Sequence, residues 1–197
     1  LEAWPAERCG EDAVKALREA FAVGARRTAL QDLRFLIDEL VEIAARALSP
    51  GVNDPFTANS CLDWLGAAMA ELARRDLPSH LRTDEDHALR VIAYPVTFDG
   101  FIDRAFGALA QYASADRIAG KRFLEALGDV ALSCDDAGRI ATLVDEARAF
   151  RTLAEGKLDG ACRDVVVGRA DLLLRALAAP DYKRRLRDDI GWLGGSA

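Results

Sequence analysis

The chain has 197 residues, 51% of them apolar and 29% charged, a balance that supports a sizeable core and excludes an intrinsically disordered chain. Its net charge of −6 argues against nucleic acid as a partner, because phosphate contacts need a basic face. The longest uncharged run, residues 105–115, is well short of the ~18 apolar residues of a membrane span, and with Leu1 as its first residue the chain reads as a fragment without a signal peptide or spanning segment.

In chain order, residues 11–23 suit a short amphipathic helix with Val14, Leu17 and Phe21 on one side. Thr28 opens the next helix on the sequence pattern: Thr28-x-x-Gln31 fits a capping box, and Asp32 suits the positive end of the helix dipole. Leu33, Leu36, Ile37, Leu40, Ala44, Ala47 and Leu48 then recur at three- and four-residue steps, while Arg34, Asp38, Glu42 and Arg46 take the other side. Ser49 precedes Pro50, which disfavours helical dihedrals there. Asp54 is the expected N-cap of a further helix, with Pro55 at its first position, where a missing N–H costs nothing. That helix runs to about Arg75, with Ala58, Cys61, Leu62, Leu65, Met69 and Leu72 inward and Asn59 and Asp63 on another face. So short a connection folds the two helices back antiparallel.

Residues 80–94 alternate around the polar turn Asp84-Glu85-Asp86 and predict a small β-ribbon. A two-stranded ribbon is marginal alone, so it is expected to lie on the helices. Thr97 then caps a helix with Phe101, Ile102, Ala105, Phe106 and Leu109 inward. Ser114 starts another, carrying Ile118, Phe123, Leu124, Leu127 and Val130. A third, from about Asp135, has Ile140, Leu143, Val144, Ala147, Phe150 and Ala154, and a last one spans about Gly160 to Ala178. A short basic tail with Lys183, Arg184, Arg185 and Arg187 follows Pro180. The expected fold is all-α: one domain over residues 1–197, about seven helices built on the antiparallel hairpin, with a small β-ribbon near residues 80–94.

The hairpin also carries a resemblance. Arg26-Arg27-Thr28 with Gln31-Asp32, the string from Ala47 through Ser49-Pro50-Gly51-Val52-Asn53-Asp54-Pro55 to Ala58, and Cys61-Leu62-Asp63 are similar to a bacterial predicted membrane protein family, domain of unknown function 2254. The likeness continues more loosely through Leu77-Pro78 and Phe98 to Tyr112. It implies the C-terminal soluble part of a protein whose N-terminal part holds transmembrane helices, with that transmembrane part as a partner; a bacterial inner membrane, with this domain on the cytoplasmic side, is the expected location. It implies no activity.

Enzyme chemistry finds little to recruit. Asp32, Asp38, Glu42, Asp54 and Asp63 gather around the hairpin, but a di-metal helical bundle needs Glu-x-x-His on two helices, and the two histidines, His80 and His87, flank the ribbon turn. There is no nucleophile elbow and no P-loop. No metal and no cofactor are expected. The sharper candidate is an anion held by the first amides of the Pro55 helix, helped by Asn53, Thr57 and Arg26 or Arg27; a small-ligand pocket there would be lined by Arg26, Asn53 and Asp63. Asp54 as N-cap opposes it by occupying those donors, which makes Thr28, Gln31, Pro50, Asp54 and Pro55 a structural set.

Cys9, Cys61, Cys134 and Cys162 are too dispersed for a zinc or disulfide framework and read as reduced thiols. The basic tail offers a weak contact with an anionic membrane surface, countered by Asp188 and Asp189. In the last long helix Val165–Val167 and Leu172–Leu174 spread apolar residues over about 200° of arc, where one-sided packing needs about 100°. Either that helix is central to the monomer or it lies between monomers, and a homo-oligomer is expected. The leading functional reading is therefore an interaction, oligomerisation or regulatory module. The alternative is a small-ligand or enzymatic site at the polar end of the hairpin.

Overall fold

The computed structural model describes residues 2–3, 10–21, 24, 28–29 and 32–188. The helices are α1 (Glu11–Glu19), α2 (Arg34–Ala47), α3 (Pro55–Ala73), α4 (Phe98–Ile102), α5 (Ala108–Ala113), α6 (Arg117–Leu132), α7 (Ala137–Lys157), α8 (Gly160–Leu177) and α9 (Tyr182–Asp188). A π-helical turn, Asp103–Gly107, joins α4 to α5 in one rod. Strands β2 (Leu81–Thr83) and β3 (Leu89–Ile92) form the ribbon, and the two-residue β1 (Glu2–Ala3) pairs antiparallel along the other edge of β3. The ribbon turn is closed by Asp84, whose Oδ1 accepts from the amides of Asp86 and Ala88 while Arg90 Nε donates to Oδ2 at 2.6 Å.

The loop between α2 and α3 folds as the sequence predicts. Asn53 occupies the left-handed region at φ 50°, which Asn tolerates better than most residues, and Asp54 N–H donates to Ala47 O at 2.8 Å. Asp54 Oδ1 accepts from Phe56 N and Thr57 N, and Oδ2 accepts from the Thr57 hydroxyl at 2.5 Å. The Thr57 hydroxyl, with the first-turn amides, holds the Asp54 carboxyl below its usual range. Asp54→Ala is expected to lower the denaturant midpoint. The difference from wild type should shrink in acid, where the carboxyl takes up its proton and the stability present above its ordinary pKa is lost.

Two starts differ from expectation. α2 begins at Arg34, so the helix does not start at Thr28, and Gln31, its partner in the expected capping box, lies outside the described residues. The first helical amide instead donates to Asp32 Oδ1 at 3.0 Å, and Arg34 Nε donates to the same oxygen; a carboxylate outcompetes a hydroxyl for such a donor. α6 begins at Arg117, not Ser114, because Asp116 Oδ1 accepts from both Ile118 N and Ala119 N at 2.8 Å. Ser114 instead ends α5, and Ile118 is exposed, not inward. The basic tail is helical (α9) and turned on its own neighbours: Lys183 pairs with Asp135, Arg184 and Arg185 with Asp181, and Leu186 is buried.

The core lies between α3 and α6. A Cβ at Gly66 would stand 3.2 Å from Ala126 Cβ, and one at Gly120 3.1 Å from Ala113 O, so the two glycines let the backbones close up. Phe106, Phe123 and Phe150 fill the centre, all fully buried; Phe123 meets Phe106 edge-on at 5.3 Å and stacks on Phe150 at 4.1 Å. α7 and α6 flank α8, whose Val166, Ala170, Leu173 and Leu177 are buried while Val167, Leu172 and Leu174 are half-buried. The wide apolar arc of α8 is thus only partly taken up within the chain, since Val165 remains 41% exposed. Tyr182 Oη donates to Cys134 O at 2.5 Å, and burial pushes the Cys134 thiol up to about 11.

Candidate functional site: the outward face of the hairpin

On α2, Ile43, Leu36, Leu40, Leu33, Ala44, Ile37, Leu48 and Val41 occupy about 160° of the helix at 100° per residue. The core needs a narrower stripe than this and takes mainly Ile37, Ala44 and Ala47. Leu40, Val41 and Leu48 pack half-buried against that core, and three residues face outward: Leu33 is 52%, Leu36 43% and Ile43 48% exposed. On α3 the neighbouring face carries Trp64, 69% exposed. Between them runs an open groove of about 410 Å³, walled by Leu33, Leu36, Leu40, Ile43, Trp64 and Ala68 over a floor of Ile37, Leu65 and Met69. Glu39 is the one charged residue lining it. Sequence reading placed Leu33, Leu36 and Leu40 on the apolar stripe but missed Trp64; the available signal was a large aromatic lying just outside the inner arc of α3.

Among the described residues weighed for an anion site, Asn53 and Thr57 lie exposed at the hairpin tip, and Thr57 is engaged with Asp54. Asp63 is turned to another partner, Arg122 of α6, which also reaches Asp129 at 3.2 Å. Arg26 and Arg27 lie outside the described residues. Asp54 already uses the amides that an anion would need. The buried Glu125 of α6 stands 3.6–3.7 Å from Lys121, Arg122 and Arg169, so the charges beside Asp63 balance internally.

Two polar clefts flank the rod of α4 and α5. One, of about 550 Å³, contains Asp38, Glu42, Asp103 and Arg104; Arg104 grips both carboxylate oxygens of Asp38. The other, about 370 Å³, is lined by Asp99, Asp103, Asp145 and Glu146. Burial, and then the Asp103 carboxylate, push Glu146 up to about 7. A Cβ at Gly107 would fall 2.7 Å from Asp103 Oδ1 and 3.7 Å from Glu146 Oε2, so glycine leaves room for the two acids to face each other. Among the described residues no group of three or more His, Cys, Asp or Glu is placed to hold a metal ion. No helix among them is long and apolar enough to cross a membrane.

Comparison with known proteins bears on this face, since α2 and α3 lie inside the matched region. The model of the predicted membrane protein family DUF2254 matches residues 1–129. Uncharacterized proteins of Mycobacterium bovis and of two strains of Mycobacterium tuberculosis are 33% identical to the chain over 150 residues, which is 75% of this chain and 29% of each relative. The chain thus spans under a third of the length of these curated relatives. No solved structure matches it. By family model and relatives alike, the chain belongs to the predicted membrane protein family DUF2254.

Proposed function

We propose that these residues form an interaction and oligomerisation module for the membrane-embedded part of a longer protein, on the cytoplasmic side of a bacterial inner membrane. The observation that carries this reading is the outward face of the hairpin, where Trp64 stands 69% exposed beside an apolar groove. Exposed contiguous apolar surface on a folded domain marks a contact site, and aromatic anchors dominate such contacts. The family's description supports the membrane setting, and buried, reduced thiols at Cys61 and Cys134 suit a reducing compartment. The domain works in this reading without cofactor or nucleic acid.

The test is a benzophenone photocross-linker at position 64 of the full-length protein in its native membrane, with a control label at the exposed Gly156. Ultraviolet light should join position 64, and not position 156, to another segment of the same protein or to a second copy, identified by mass spectrometry. A label that reacts only with lipid or water would overturn the proposal.

A further inference from the structure

The groove has a counterpart within the chain. Helix α1 and the two residues after it place Ala13, Val14, Leu17, Ala20 and Phe21 within an arc of about 120° at 100° per residue, wide enough to pack on one side. Yet no residue of α1 is buried; Val14 is 37% and Phe21 63% exposed. A helix of nine residues is unstable in water unless its apolar face finds a surface. The groove wall from Leu33 to Ile43 is about 15 Å long and α1 about 13.5 Å, at 1.5 Å per residue, so the two match in length. Arg18 borders the stripe of α1, and Glu39 borders the groove.

We propose that α1 of one copy seats in the α2–α3 groove of a second copy, and reciprocally, giving a twofold dimer by exchange of arms. This rests on the interaction reading above and names its partner as a second copy of this chain. Among the described residues both surfaces are left uncovered: no residue of α1 lines the groove of its own chain, and Glu2 and Ala3 pair with β3. Reciprocal exchange covers two helices and two grooves in one closed assembly. Lipid is a poorer occupant. α1 carries Glu11, Asp12 and Glu19 against Lys15 and Arg18, and the charged residue lining the groove is Glu39, whereas helices that lie on anionic membranes are flanked by cations.

Disulfide trapping tests this in a Cys9→Ser, Cys162→Ser background of the 197-residue chain. Leu17→Cys and Ile43→Cys are made in separate proteins, mixed, left to exchange and oxidised. A disulfide-linked heterodimer should form in the mixture and in neither protein alone. Phe21→Asp in the first protein should abolish it and, by light scattering, raise the concentration at which dimers form by about 30-fold or more, as loss of a hot spot does. Circular dichroism of Phe21→Asp should stay unchanged, because Phe21 belongs to no core. No heterodimer in the mixture, or a disulfide closing within one chain that carries both cysteines, overturns the exchange. A dimer that survives Phe21→Asp also overturns α1 as occupant, and leaves the interaction reading to be judged by the label at position 64.

Discussion

Phe123→Ala is expected to lower the unfolding free energy by about 3–5 kcal/mol, the range for removing a buried aromatic ring. The upper half of that range is the expected one. Phe123 stacks on Phe150 and meets Phe106 edge-on, so its loss removes the middle of three rings and both ring contacts, worth about 0.5–1.5 kcal/mol apiece beyond area burial. Collapse around the cavity is restricted, because α6 is already drawn close to α3 at Gly66 and Ala126. Against a total of about 5–15 kcal/mol for a domain, the variant stands near the margin of folding. Urea unfolding followed by circular dichroism measures the effect; a loss under about 1.5 kcal/mol would show that the ring is not the keystone of the core. Phe123→Leu, which refills most of the volume, should cost markedly less.

Raising the pH from 5 to 8 should destabilise the wild-type protein through Glu146. Burial, with the Asp103 carboxylate second, raises the folded-state pKa from 4.5 to about 7. Between those values the folded chain holds a proton that the unfolded chain has released, so the stabilisation is complete below about pH 4.5 and is lost as pH rises through 7. Two and a half pH units correspond to roughly 3 kcal/mol, and water in the adjoining cleft reduces that to about 2 kcal/mol. Asp54 and Asp181 titrate lower, outside this window. Burial raises Asp129 as well, in the same direction, so the measurement that isolates Glu146 is the difference from Glu146→Gln. That variant should match wild type near pH 5 and exceed it at pH 8. Parallel stability curves for the two proteins would refute the assignment.

The parts of the fold legible in the sequence are those set by near neighbours. Proline, glycine and Asp54 within a few residues determine the hairpin loop, and alternation about Asp84 marks the ribbon. Competition between nearby acceptors is harder to read: Thr28 and Ser114 are plausible caps until Asp32 and Asp116 take the amides a few residues on. β1 escapes the pattern because two residues carry no period. The π turn escapes it too. Phe101 and Ala110 are both buried, and nine residues of regular helix would set them about 180° apart; the wide turn at Asp103–Gly107 changes that angle without a sequence signal of its own. Likewise the place of Trp64 outside the inner arc of α3 does not reveal that it borders a groove, and nothing local reveals that Asp63 belongs to Arg122, since both depend on where α2 and α6 come to lie. The apolar arc of α8 is legible as a wide surface, but its partners, α6 and α7, are not.

The close seam between α3 and α6 has a mechanical consequence. Most packed helices are separated by interleaved side chains that change rotamer under load, and these absorb small displacements of one helix against the other. At Gly66 and Ala126 that cushion is a single methyl group, and at Gly120 the α6 backbone comes almost directly against the end of α5. Protein interiors are close-packed and barely compressible, so a push on the outer side of α3 carries α6 with it. α3, α6 and the α8 behind it are therefore expected to move together, so that a load applied at Trp64 passes into α6 before it dissipates.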